Sequence, residues 1–207
     1  MGDAVTPNLA RVPAARAAWE ALAAGNARFV SGEMRHGHQD AGHRARLLEG
    51  QHPHAAVLGC ADARIAPEVI FDQGLGDLFV IRVAGNIVTP CVTASIEYAA
   101  AGLETALVLV LGHSDCGAIA ATATGKASAG QLPVLAAELA PAVAAATGDG
   151  AARMTAAAQW NARRMAARLA ASEPLLAPRV RAATLAIMPA YYDQTSGRVS
   201  LLSQETP

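Results

Sequence analysis

A thiol, a carboxylate and a guanidinium stand at alternate positions in Cys60-Ala61-Asp62-Ala63-Arg64, directly after the apolar run Ala55-Ala56-Val57-Leu58. A second apolar run, Ala106 to Leu111, ends in Gly112-His113-Ser114-Asp115-Cys116-Gly117. Two runs of strand length, each followed by reactive side chains, read as parallel strands of an open α/β sheet, which takes its ligands outside the carboxyl ends of its strands. If the two strands end side by side, Cys60, His113 and Cys116 come together. Two soft thiolates and an imidazole are a donor set for zinc.

Zinc held by two thiolates and a neutral imidazole has no net charge, and its tetrahedral preference leaves one position for water, substrate or a fourth protein ligand. Asp62 can bind the metal there, or accept a hydrogen bond from a water on it. Arg64 can hold Asp62 in a bidentate ion pair, which makes the carboxylate less available to the metal and turns the pair into a gate. Cys91 would complete a closed Cys3His site that only staples the fold. Such sites favour tight C-x-x-C pairs, absent here, and have no need of an Asp–Arg couple. Cys91 by itself reads as a packed small residue near the start of a helix. His36, His38 and His43 read as solvated loop residues, with a proton relay as the alternative. Gly125-Lys126-Ala127 lacks the upstream glycine and the Ser/Thr of a phosphate loop.

The elements that position these groups follow from periodicity. Trp19, Leu22 and Phe29 share one face of a helix from Pro13 to Val30. Arg44 to Leu48 begins another helix. Strands are expected at Ala55–Gly59, Leu78–Arg82, Ala106–Leu111 and Ala183–Met188. Helices are expected from Pro67, over Ala94–Gly102, from Gly117 to Thr124, over Leu135–Ala146 and over Ala151–Ala171. A hairpin turning at Ser196-Gly197 closes the pattern. Alternating strands and helices make a mostly parallel sheet flanked by helices, with an antiparallel edge strand near the carboxyl terminus.

Length and composition narrow the partners. The 207 residues suit one domain, 1–207, with an N-terminal helical arm of about 13–50 expected to pack on a partner subunit. With 53% hydrophobic and 16% charged residues and a net charge of -1, there is no basic field for nucleic acid and no disordered composition. No apolar stretch reaches membrane-spanning length. Three cysteines without a secretory segment argue for reduced thiols and a cytoplasmic location.

C-x-D-x-R, then PEVIFDQGLGDLFVIR and AGN, then SIEYA and GHSDCGA, resemble the β-class carbonic anhydrases, and a weaker likeness runs from Trp19 to YYDQTSGRVSLL. The resemblance implies a zinc enzyme that interconverts CO2 and bicarbonate by attack of zinc-bound hydroxide on CO2. Cys60, His113 and Cys116 would be ligands to one Zn2+ per chain, and Asp62–Arg64 the catalytic dyad. Gln39 would orient substrate, and Phe79 and Tyr98 would line the CO2 pocket. The family forms dimers, often paired into tetramers, with active sites at the dimer interface. Two positions depart from its patterns. Val83 stands where Asn is frequent. Val57 stands where the bicarbonate-regulated subgroup has Trp, so one wall of that pocket is missing although Arg82 is present.

Two other functions suit the same residues. Carbonyl sulfide or carbon disulfide is linear like CO2 and could accept the same hydroxide. A zinc-stabilised dimer without catalysis would serve as a binding or sensor protein. For the hydration reading, two anionic thiolates give zinc more charge than three imidazoles do. Its water should therefore ionise above the pKa of about 7 that a three-histidine site confers. Stopped-flow CO2 hydration by the zinc protein should be faster at alkaline than at neutral pH; a flat profile with zinc retained contradicts this.

Overall fold

In the computed structural model, which describes residues 7–204, the runs rich in Val, Leu and Ile pair into one sheet. β1 (Ala55–Gly59), β2 (Leu78–Arg82), β3 (Leu107–His113), β4 (Ala186–Asp193) and β5 (Arg198–Leu201) lie in the order β2-β1-β3-β4-β5. The first four are mutually parallel and β5 runs antiparallel to β4, the mixed sheet expected from the sequence. β1 and β3 are wholly buried, as parallel strands covered on both faces must be.

The helices are α1 (Pro7–Arg11), α2 (Pro13–Ser31), α3 (Ala41–Arg46), α4 (Pro67–Ile70), α5 (Pro90–Glu97), α6 (Gly117–Ala123), α7 (Leu132–Ala145), α8 (Gly150–Ala170) and α9 (Leu176–Arg181). Strand alternation divides the core. Ala56, Leu58, Val108 and Val110 pack with Leu139 of α7 and Ala158, Ala162 and Met165 of α8. Val57, Leu109 and Met188 point the other way, against Trp19 and Leu22 of α2. Cys60 and Cys116 fall in the first cluster, on the side covered by α7 and α8. Among the described residues no helix is long and apolar enough to cross a membrane.

Several boundaries differ from the sequence reading for local reasons. α3 starts at Ala41 because the Asp40 carboxylate accepts the His43 N–H at 2.9 Å. α5 starts at Pro90, with Thr89 accepting from Val92 N and proline at the first helical position. It widens into a π-helical turn over Tyr98–Gly102. β4 begins at Ala186, since the chain turns after α9 through Ala183, whose φ of 54° is not a strand conformation. Proline at 189 suggests a strand end, yet the ladder continues through Val110↔Pro189 to Asp193.

Of the stretch 13–50, α2 lays its apolar face on its own sheet, because that is where Trp19 and Leu22 find cover. The rest is largely exposed, with Leu48 at 88%. Asn26 of α2 donates to Ile70 O (3.1 Å) and Gly197 O (2.8 Å) and accepts from Val199 N (2.9 Å), tying the helix to α4 and the β4–β5 hairpin. Asp72 takes the Arg28 guanidinium at 2.5 Å and the Arg35 and His36 amides. Burial opposes its ionisation, but these donors hold its carboxyl below the usual range.

At Gly25 the helix passes so near the chain at Phe71 that a Cβ would lie 1.8 Å from Phe71 O. Helix propensity alone favours alanine there, but packing reverses the sign. Gly25→Ala should lower the unfolding free energy by about 2–3 kcal/mol in urea titrations. Gly37→Ala, with nothing within 4 Å, should change it by no more than about 0.5 kcal/mol. A stabilised Gly25→Ala protein would contradict this packing.

Candidate metal centre

Two strand ends and one helix start deliver the three donors. β1 ends at Gly59 and presents Cys60; β3 runs through His113; Cys116 is the residue before α6. The parallel register pairs Leu58 with Val110, and carried two residues further it sets Cys60 level with Gly112, beside His113. The candidate ligand atoms of Cys60, His113 and Cys116 lie within 4.8 Å of one another, and all three residues are buried.

The imidazole is already oriented for a cation. His113 Nδ1 lies 2.8 Å from Ser114 O, an acceptor, so Nδ1 carries the proton and Nε2 the lone pair. His113 Nε2 is buried and has no hydrogen-bond partner. Of the two thiols, Cys60 is pushed down to about 4, chiefly by the hydrogen bond from Cys116 and against the cost of burial. Cys116 is pushed up by the same contact, by its burial and by the charge on Cys60. One thiolate and one thiol share a proton that a soft divalent cation would displace. An orphaned imidazole lone pair facing two sulfurs fits zinc.

Asp62 and Arg64 form the expected couple. Arg64 Nε donates to Asp62 Oδ1 at 2.9 Å and Nη2 to Oδ2 at 2.6 Å, while the Arg64 backbone N–H reaches Oδ1 at 3.0 Å. Arg64 Nη2 also donates to Asp115 O at 3.1 Å, which ties the pair to the Cys116 loop. The guanidinium holds the Asp62 carboxyl far below the usual carboxylate range, against a smaller penalty from burial. Asp62 therefore stands outside the three-donor cluster, paired with Arg64. Cys91 also stands outside it. It is exposed at the start of α5, which corrects the reading of it as a packed residue: its place in the first turn leaves the sulfur facing solvent.

Other residues shape the site through contacts that the sequence does not signal. Arg82 donates from Nε to Cys60 O (3.0 Å) and from Nη2 to Asp62 O (2.6 Å), bracing the turn that carries both side chains. Gly85 N donates to Cys60 Sγ at 3.3 Å. Gln194 Nε2 donates to Ser114 O, and its backbone N takes the Ser114 hydroxyl as acceptor at 2.9 Å. Spacing cannot reveal groups that arrive from loops so distant in the chain.

The remaining candidates lie elsewhere in the single chain. Phe79 and Tyr98 contact each other, with ring centroids 6.0 Å apart. Phe79 pairs with Ala56, four residues short of Cys60, about 13 Å of strand. Tyr98 is 55% exposed and lines a cavity of about 510 Å³ with Gln51, His52 and Leu103. Gln39 is exposed in the segment before α3. His38 pairs with Asp77 at 2.8 Å and stacks on His43, whose Nε2 meets Leu75 O. His38 is exposed, as expected, whereas His43 is half-buried and lies in α3; together they pin this segment to the turn before β2.

The carbonic anhydrase family profile matches residues 55–199. Carbonic anhydrase 2 of Mycobacterium tuberculosis (strain H37Rv) is 41% identical over 189 residues, covering 89% of this chain and 91% of that protein. A carbonic anhydrase of Mycolicibacterium smegmatis is 39% identical over 90% of this chain and 93% of its own. Among solved structures, a tetrameric β-carbonic anhydrase from the ascomycete Sordaria macrospora superposes with a TM-score of 0.72 at 28% identity, over 80% of this chain and 88% of that one. With its zinc donors gathered at the ends of β1 and β3 and this likeness along most of its length, the chain belongs to the β-class carbonic anhydrase family.

Proposed function

We propose that the protein catalyses the reversible hydration of CO2 to bicarbonate and a proton, with zinc held by Cys60 Sγ, His113 Nε2 and Cys116 Sγ. The observation that carries this reading is the buried, unpartnered His113 Nε2 facing two thiols, beside a carboxylate that an arginine keeps charged. Bound zinc supplies a Lewis acid that makes water a nucleophile near neutral pH.

Asp62 is an acceptor with about four lone-pair positions. Arg64 fills two on Oδ1 and one on Oδ2. The position left on Oδ2 can accept one O–H and so orient the nucleophile toward the carbon of CO2. Because Asp62 stays ionised, it cannot offer a proton to a substrate oxygen there. Arg64 also restrains the carboxylate from taking the fourth metal position, and Arg82 holds the backbone beneath both.

An amide that donates to a substrate oxygen completes the site. Resemblance points to Gln39, but Gln51 shares a cavity wall with Tyr98, which in turn touches Phe79. This favours Gln51 for the role. Since Phe79 lies far along the strand from its own chain's donors and Tyr98 packs on it, they serve a CO2 pocket only when another subunit brings them to it. That supports a homo-oligomer, dimer or tetramer, with shared sites and with the exposed part of 13–50 reaching the neighbour. The tetrameric solved relative supports it as well. Unpaired cysteines are in keeping with a cytoplasmic location.

Asp62→Asn tests the dyad, since it keeps the shape and replaces an acceptor oxygen with a donor. Stopped-flow CO2 hydration should fall about 100-fold with zinc content unchanged. Full activity in the variant, or none in the zinc-loaded wild type, contradicts the assignment.

A further inference from the structure

Asn161 of α8 is a polar residue without exposure, 0%, on a helix face otherwise made of alanine, methionine and leucine. Its Nδ2 donates to Gly85 O at 2.9 Å, and its Oδ1 is buried without a partner. A buried amide left half satisfied is less stable than a well-packed apolar side chain of the same shape. Stability therefore does not explain the residue, and such departures gather where function demands them.

The hydrogen bond from Asn161 ends on Gly85, whose N–H donates to the donor sulfur of Cys60. Gly85 adopts φ 69° and ψ 16°, the left-handed region, and a Cβ on it would lie 2.9 Å from Leu139 Cδ1. Glycine alone fits that turn, and glycine alone would leave its peptides free to rotate. Asn161 grips the carbonyl on one side of Gly85, while the N–H on the other side donates to Cys60 Sγ at 3.3 Å. One helical turn on, Met165 Sδ accepts the Val88 N–H at 3.1 Å, so α8 holds the loop at two points. The helix can come this close because Gly112 of β3 meets Ala158 and Ala162: a Cβ there would lie 2.9 Å from Ala158 O.

We propose that Asn161 is a positioning residue for the metal centre: by holding the Gly85 carbonyl it fixes the turn that aims the Gly85 N–H at Cys60 Sγ, and so limits the charge this thiolate gives to the metal. The inference rests on the zinc reading above and extends it to a residue that touches no donor. An N–H···S bond withdraws charge from the thiolate and restrains its motion; losing it leaves a more electron-rich sulfur on a looser loop.

The test is the cobalt(II)-substituted protein, whose sulfur-to-metal charge-transfer band reports sulfur charge, with zinc transfer to a chelator followed separately. Asn161→Leu keeps the size and removes the donor; Asn161→Ser removes its reach and serves if the leucine variant does not fold. Asn161→Gln keeps an amide. The charge-transfer band should move to lower energy in the leucine or serine variant, with zinc lost about tenfold faster, and glutamine should recover part of both effects. A wild-type band and zinc-transfer rate in the substituted proteins would overturn the proposal, even if their melting temperature falls. Absence of a sulfur band in wild type would contradict the zinc reading instead.

Discussion

The parallel pairing of β1 with β3 is the constraint on which the site depends. Its register, Leu58 opposite Val110, carried onward sets Cys60 beside the last residues of β3, so that a thiol from one and an imidazole from the other share a buried space. Because side chains alternate along a strand, a slip of one residue would turn Cys60 from the α7–α8 side of the sheet to the α2 side and separate it from Cys116. The register is secured by burial on both faces: Ala56, Leu58, Val108 and Val110 pack under α7 and α8, and Ala55, Val57, Leu107, Leu109 and Leu111 under α2. Core packing and metal-site geometry are thus consequences of one alignment.

Electrostatics then divides the labour among neighbouring groups. Two thiolates and a neutral imidazole cancel the charge of zinc, so the centre has no strong pull on bicarbonate, the anionic product of the proposed reaction. Charge near the site sits in the Asp62–Arg64 pair, which is internally neutral and geometrically fixed by four hydrogen bonds that include Asp115 O. Arg82, which could have faced solvent or an anion, is directed at two backbone carbonyls. Its guanidinium braces the Cys60–Asp62 turn.

Much of this was legible from residues alone because the signals are local. Apolar runs ending in Cys60 and His113 marked the strands, and the alternate spacing of Cys60, Asp62 and Arg64 marked the dyad. The less legible parts depend on contacts distant in sequence. Nothing near Gly85 or Gln194 indicates that they meet Cys60 and Ser114, since those meetings follow from helix and hairpin placement. Asp40 and Thr89 moved helix starts by capping, which periodicity does not register. For Phe79 and Tyr98 the likeness indicated a role, while the register puts Phe79, on which Tyr98 packs, far from the donors of its own chain.

The most direct measurement is zinc-edge X-ray absorption on the purified protein near pH 8. The account requires two sulfurs at about 2.3 Å, one nitrogen at about 2.0–2.1 Å and one lighter oxygen donor in the first coordination sphere. Three sulfurs, or a shell of nitrogen and oxygen alone, would contradict the assignment of Cys60, His113 and Cys116 as the centre with one position open to water.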